Sequence, residues 1–216
     1  MNPSVHNVPV DLPPPMLLAL CVSFGSLAQW HDDFEALARS HDGEPGHLAL
    51  VFNPDDGTLR HLWHADANCD AIGDDARTLL ALNLPADVAK FVAVIDWPLA
   101  YQRYQDAVHA ASEGQGALHG QLGDALLLDV RRAGVFQAAS SMLPNAVWRD
   151  PAHVSAWAGE LPSDREVLVY CVYGHEVGRV TALRLRALGV KARFLEGGID
   201  AWQAAGLPTV AKGAAP

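Results

Sequence analysis

Residues 167–189, VLVYCVYGHEVGRVTALRLRALG, decide the fold. The stretch opens as a β-branched apolar run, passes a cysteine, turns through Gly174 and becomes a helical pattern. Val177, Val180, Ala182, Leu183, Leu185 and Leu188 fall close to one helical face, and Gly189 closes the helix as a C-cap. Strand, loop and helix in that order form half of a parallel βα unit. Cys171 sits at the junction, and the C-terminal edge of a parallel strand is where α/β proteins place their chemistry. Main-chain N–H groups of the loop and the positive end of the helix face such a position, stabilise an anion and lower a thiol pKa. Gly174 permits the tight loop. The residues therefore point to a thiolate nucleophile in an anion-binding nest. A buried structural cysteine is the alternative.

The same pattern extends on either side. DALLLDV (124–130) and KARFLEG (191–197) read as further strands, and GIDAWQAAG (198–206) as a short helix closed by Gly206 and followed by Pro208. Alternating strands and helices give an α/β class with a parallel sheet. Upstream, SEGQGALHG (112–120) is rich in glycine and small polar residues and reads as a join. Charge divides near it. Residues 1–117 hold five Lys/Arg against sixteen Asp/Glu, net −11, whereas residues 118–216 hold ten against nine, net +1. The expected organisation is an extended, proline-bearing arm (1–15), a smaller α+β domain (16–113), a linker (114–120) and the α/β domain (121–212).

In the N-terminal half, FGSLAQWHDDFEALARS (24–40) reads as a helix capped by Ser26, with Trp30, Phe34, Leu37 and Ala38 on one side. HLALVFNPDDGTLRHLWHA (47–65) is a hairpin about Asn-Pro-Asp-Asp-Gly. DDARTLLALN (74–83) reads as a short helix or apolar strap, and PLAYQRYQDAVHAAS (98–112) as a helix with Pro98 near its start. His61 and His64 invite a metal assignment with Asp66 and Cys69. Three apart on a strand, however, they face opposite sides, and exposed strand and loop residues are the expectation.

Composition excludes several classes. A net charge of −10 argues against a general nucleic-acid binder. No apolar run reaches the ~20 residues of a membrane helix, and no basic region precedes MLLALCV (16–22), so neither a span nor a signal peptide is expected. Three cysteines, Cys21, Cys69 and Cys171, are too few for a disulfide framework and fit a reducing, cytoplasmic setting.

LLLDVR (126–131), the Cys171 loop CVYGHE and LEGGIDAWQAAGLP (195–208) together resemble the rhodanese family over residues 118–210. The resemblance implies a sulfurtransferase whose Cys171 accepts sulfane sulfur as a persulfide. It implies a small donor, thiosulfate or a persulfide, and a thiol or cyanide acceptor, with no cofactor. The amides of Val172, Tyr173, Gly174, His175, Glu176 and Val177 are the implied anion-binding loop. Two departures stand out. Glu176 occupies a place where many thiosulfate-using members carry Arg, and a carboxylate there repels a dianionic donor unless His175 or Arg179 pairs with it. The family's GHI.GA segment is SSMLPNA (140–146) here, without histidine. Related phosphatases need Cys-x5-Arg, and residue 177 is Val. Asp129 and Arg131 read as a buried or loop-orienting ion pair, and Trp202 as core.

The segments FGSLAQWHDDFEALA, GHLALVFNPDDGTLRHLWHADANCD and LPADVAKFVAVIDWPLAYQRYQDAV resemble, in order and spacing, the C-terminal domain of iron/manganese superoxide dismutases over residues 16–112. In that family Asp-Val-Trp-Glu-His supplies an Asp and a His to the metal. Asp87 and Val88 keep the Asp-Val, Ala89 and Lys90 replace Trp and Glu, and Phe91 replaces the histidine. One carboxylate cannot hold redox-active iron or manganese. The resemblance implies a dismutase-like domain without its metal, serving as scaffold, docking surface or dimerisation unit, with a homodimer as one possible assembly. Two alternatives accompany the enzyme: a rhodanese-like module that only binds, and a role in oxidant or oxyanion stress, such as chromate, which rests on family association alone.

Overall fold

The computed structural model describes residues 8–65 and 77–212. They divide into two compact units, one of residues 8–53 and 58–107, the other of residues 54–57 and 108–212. Asp66, Asn68, Cys69 and Asp70 lie outside the described residues.

The first unit begins with α1 (Pro14–Phe24) and α2 (Leu27–Ser40). Helix α1 starts inside the segment expected to be an arm. Prolines block a helix interior, but in the first turn their missing N–H is not needed, and Pro14 and Pro15 stand there. Ser26 caps α2 by accepting from the Gln29 amide at 3.0 Å. Strands β1 (Gly46–Phe52), β2 (Leu59–His64) and β3 (Thr78–Leu84) form an antiparallel sheet in the order β2-β1-β3. Strand β3 corrects the helix-or-strap reading. Its leucines carry no strong alternation, and pairing along β1, from Gly46 opposite Leu84 to Val51 opposite Thr78, decides its state. Helices α3 (Val88–Ala93) and α4 (Trp97–Ala111) follow.

His61 is not the exposed strand residue expected. Its ring stacks on Phe24 at 4.5 Å and meets Phe34 edge-on at 5.3 Å, and its Nε2 is shielded from solvent. His64, three residues on, is exposed.

The second unit is built on a five-stranded sheet of β4 (Gly116–Ala117), β5 (Leu126–Asp129), β7 (Val147–Trp148), β8 (Val167–Tyr170) and β9 (Ala192–Leu195). Its order is β4-β9-β8-β5-β7 and every pairing is parallel. Residues 116–117, within the segment read as a join, are thus an edge strand. A two-stranded antiparallel ribbon joins β6 (Ser141–Met142) to β10 (Val210–Ala211). Short helices α5 (Ala133–Ala138) and α6 (Val154–Trp157) precede β8. The longer α7 (Glu176–Ala187) follows it, and α8 (Gly198–Ala204) follows β9.

Strand β8 is buried at all four residues, the continuous apolar run of a strand covered on both faces. Its alternation sorts two cores. Val167 and Val169 pack with Val154, Trp157, Ala182 and Leu185 on one face; Leu168 and Tyr170 pack with Leu143, Ile199 and Trp202 on the other. After β5 the chain goes first to β7 on one side, then returns to β8 on the other. That reversal of strand order opens a crevice at the C-terminal ends of β5 and β8. Among the described residues no helix is long and apolar enough to cross a membrane.

Burial pulls the His61 pKa from 6.5 down to about 4, against the charge of Asp33. The fold thus favours the neutral ring, and its contribution is complete above pH 6.5 and lost as pH falls toward 4. In urea titrations from pH 7.5 to pH 4.5, we expect wild type to lose stability relative to His61→Phe across that window, with no further divergence above it.

Candidate active site

Cys171 follows directly on β8, at the crevice, and is 5% exposed. The loop from Cys171 to His175 turns through Gly174 at φ +66°. A Cβ on Gly174 would lie 2.5 Å from the Gly197 nitrogen and 2.7 Å from the Leu195 carbonyl, so only glycine fits. Helix α7 then begins at Glu176 and aims its unsatisfied N–H groups back at the loop.

The loop carbonyls are held from outside. Helix α8 supplies two donors: the Ile199 amide to the Cys171 carbonyl at 3.0 Å and the Asp200 amide to the Val172 carbonyl at 2.9 Å. Arg179 supplies a third, from Nε to the Gly174 carbonyl at 3.0 Å. The Arg179 amide donates to the His175 carbonyl at 3.1 Å. With these oxygens engaged, the N–H groups of Gly178, Gly174 and His175 act on the sulfur, each pulling its pKa down. Gly198 makes the α8 contact possible: a Cβ there would sit 2.5 Å from the Cys171 carbonyl oxygen and closer still to that of Val172.

The electrostatic outcome differs from the lowered thiol pKa expected from sequence. Burial pushes the Cys171 thiol up, and this outweighs the three N–H donors; the Glu176 charge pushes in the same direction as burial. The resting group is a neutral thiol in a nest suited to an anion.

The remaining loop residues divide between the cleft and its rim. Glu176 is 5% exposed. Tyr173 is 56% exposed, and its ring lies 5.7 Å from that of His175, which in turn lies 6.2 Å from that of His109. Val172 is half-buried, and the Val177 carbonyl accepts from the Thr181 hydroxyl at 2.7 Å. Arg179 lays its guanidinium over the Phe194 ring at 4.2 Å and donates from Nη1 to the hydroxyl of fully buried Ser112 at 3.0 Å. Burial lowers the Arg179 pKa, while the charges of Glu196 and Cys171 raise it.

Asp129 and Arg131 form the buried pair expected. Arg131 Nε lies 3.0 Å from each Asp129 carboxylate oxygen, and Asp129 is fully buried. The pair orients the segment 141–143 rather than the cysteine loop. Arg131 Nη2 donates to the Ser141 carbonyl at 2.9 Å, the Tyr170 hydroxyl donates to Asp129 at 2.9 Å, and the Leu143 amide donates to that hydroxyl at 3.1 Å. Burial and the Asp129 charge hold the Tyr170 hydroxyl far above its ordinary pKa. Trp202 is core, with its Nε1 on the Pro208 carbonyl at 2.9 Å.

Sequence reasoning missed Tyr170, Ser112 and the glycines at 178 and 198 as parts of the site. Gly178 had a readable signal, since glycine inside a helix costs about 1 kcal/mol and needs a reason. The reason is space: a Cβ there would lie 3.3 Å from the Cys171 sulfur.

A family model described as a rhodanese-like domain matches residues 113–205. Over 88 residues, 41% of this chain and 80% of the relative, the sequence is 33% identical to a protein named sulfurtransferase from Allochromatium vinosum. Among solved structures, a full-length protein from Lactobacillus plantarum matches with a TM-score of 0.43 and 23% identity, over 45% of this chain and 88% of that one. A rhodanese-related protein from Thermoplasma volcanium matches with a TM-score of 0.40 and 22% identity, over 44% and 97%.

Replacing Gly198 by Ala is expected to cost about 2–4 kcal/mol, from the carbonyl clash together with its φ of +58°. Gly206→Ala, at φ +71° but with no atom within 4 Å, should cost about 1 kcal/mol. Urea unfolding of the two variants checks the difference.

Proposed function

The chain belongs to the rhodanese-like family through residues 113–205, and on that premise we propose that it is a sulfurtransferase with Cys171 as its sulfur carrier. In the first half-reaction the Cys171 sulfur attacks the outer sulfur of a donor R–S–SH. A new S–S bond forms to Cys171 as the bond between the donor sulfurs breaks. The electron pair of that bond leaves on RS−, which takes up the proton released by the Cys171 thiol. In the second half-reaction a thiol or cyanide attacks the outer sulfur of the Cys171 persulfide, and the S–S electron pair returns to Cys171. Sulfur moves as a neutral atom, and no outside oxidant or reductant enters.

The observation that carries this reading is the direction of the main chain around the sulfur. Carbonyls of residues 171, 172 and 174 are tied down outside the loop, while the N–H groups of Gly178, Gly174 and His175 act on the sulfur. Fixed donors of this kind stabilise a negative sulfur without having to reorganise. A persulfide is a stronger acid than its thiol, so the carrier state is the anion this nest suits best. Asp129 and Arg131 support the floor of the crevice, and Arg179 holds the loop.

A second reading has one observation in its favour: burial raises the thiol pKa of Cys171. On that reading the domain binds a partner or an oxyanion and its cysteine is inert.

For residues 16–113 we infer a domain like the C-terminal part of superoxide dismutase, without metal chemistry, acting as scaffold or dimerisation unit. Two helices, a three-stranded antiparallel sheet and two further helices are compatible with that resemblance. The Asp87 carboxylate is engaged by the Lys90 amide at 3.1 Å and the Lys90 ammonium at 3.2 Å, which lower its pKa, and Phe91 stacks on Phe34 at 5.8 Å.

Incubating the full chain with a sulfane donor and weighing it should show one added sulfur atom, mapped to the peptide holding Cys171 and discharged by cyanide as thiocyanate. Cys171→Ser should take up none at that peptide. No added sulfur from any donor, with Cys171 alkylated no faster than Cys21, would favour the binding module instead.

A further inference from the structure

We propose that Ser112 is a positioning residue for sulfur transfer at Cys171, acting through Arg179 on the direction of the Gly174–His175 peptide. This rests on the reading of Cys171 as the sulfur carrier.

In a planar trans peptide the C=O and the N–H that follows it point in opposite directions. The Gly174 carbonyl and the His175 amide share one such plane. Arg179 Nε holds the Gly174 carbonyl at 3.0 Å, so the His175 N–H is turned the other way, to the side on which it acts on the sulfur. The Cys171 and Val172 carbonyls take their donors from α8, whereas the Gly174 carbonyl takes its donor from Arg179. One side chain thus sets the orientation of this plane.

Holding a long arginine side chain in one pose costs conformational entropy and needs fixed points. Two are present besides the carbonyl. The guanidinium lies over the Phe194 ring at 4.2 Å, and Nη1 donates to Ser112 Oγ at 3.0 Å. Ser112 is fully buried. Its hydroxyl proton goes to the Val108 carbonyl at 2.7 Å, one turn back on α4. A hydroxyl has one proton and two lone pairs, so the lone pairs are left to Arg179 and the acceptor is fixed in direction.

The same segment grips α7 a second time. Arg186, seven residues beyond Arg179 and on the same helical face, donates from Nη1 to the Gln115 side-chain oxygen. Residues 108–115 and α7 lie in one unit of the fold. The two contacts are alike in kind, but Arg186 stands in the last turn of α7, and only the Ser112 contact continues into the cysteine loop.

The consequence falls on the anion. An N–H directed at sulfur favours the thiolate over the thiol, and it holds the persulfide formed there. Without the Ser112 hydroxyl, Arg179 has one fixed point fewer, the Gly174–His175 plane is freer to turn, and the sulfur loses part of one donor.

The test is alkylation of Cys171 by iodoacetamide in the full chain, read by peptide mass mapping from about pH 6.5 to about pH 10. Ser112→Ala is expected to move the rising limb of the rate to higher pH, so that the rate near pH 8 falls about fivefold. The Val108 carbonyl keeps the amide of residue 112 at 3.1 Å, so the helix end stays satisfied in this variant. In an Arg179→Met background the same substitution is expected to change the rate less than about twofold. Gln115→Ala, which releases Arg186 alone, is expected to leave the limb in place. A limb unmoved in Ser112→Ala overturns the positioning role. So does an equal displacement in Gln115→Ala, which would mark general loosening of α7, or a full effect of Ser112→Ala without Arg179. Wild-type Cys171 that takes up no sulfur from any donor overturns the sulfur-carrier reading and the role in transfer with it, and mass reads that outcome separately from these rates.

Discussion

The site depends on one close approach between two stretches of main chain. Helix α8 begins so near the cysteine loop that its first amides reach the Cys171 and Val172 carbonyls, and no side chain fits between them at Gly198. A loop is a set of donors and acceptors in equal number, and a loop left to itself would present both to whatever it encloses. Here the acceptors are drawn outward by α8 and Arg179. What remains facing the sulfur is one kind of group. The polarity of the nest is thus made by the neighbours of the loop, not by the loop's own side chains.

Beneath it lies a second polar assembly, Asp129, Arg131 and Tyr170, among the most buried groups of the unit. A buried ion pair adds little to stability unless its remaining hydrogen-bonding capacity is met. The Ser141 carbonyl and the Tyr170 hydroxyl meet it, and the Leu143 amide donates to that hydroxyl in turn, which fixes the segment that carries no histidine of its own. The two assemblies meet in consecutive residues, Tyr170 and Cys171. The last residue of β8 is anchored downward through its hydroxyl, and the next presents its sulfur to the crevice.

Much of the α/β architecture was legible because its signals are local. Strands β5, β8 and β9 and helices α7 and α8 fall within the segments marked out by apolar runs, helical spacing and closing glycines. So do the Ser26 cap, the β1–β2 hairpin and the placing of Cys171 after a strand. The failures were of a different kind. Strand β3 takes its state from pairing with β1, which no short window contains. Strand β4 is two residues long and exists only because β9 lies beside it. His61 sits on a strand whose exposed-looking alternation conceals aromatic side chains arriving from α1 and α2. The thiol pKa was misjudged because donors can be inferred from a strand–loop–helix order, whereas depth of burial cannot. Gly178 lies one residue beyond the implied anion-binding loop, Val172 to Val177, inside what reads as helix, yet its amide acts on the sulfur.

Strand β4 and Ser112 carry a final implication. Residues 116–117 close the edge of the parallel sheet against β9, and the hydroxyl at 112 holds the arginine that holds the loop. The family resemblance on sequence alone begins near residue 118, but a fragment released by cleavage there would keep its cysteine and lose both the sheet's border and a support for the nest. The smallest inheritable piece of this site therefore starts upstream of its recognisable motifs. Gene fusions or deletions that respect only the motifs would pass on a sulfur atom without the architecture that orients it.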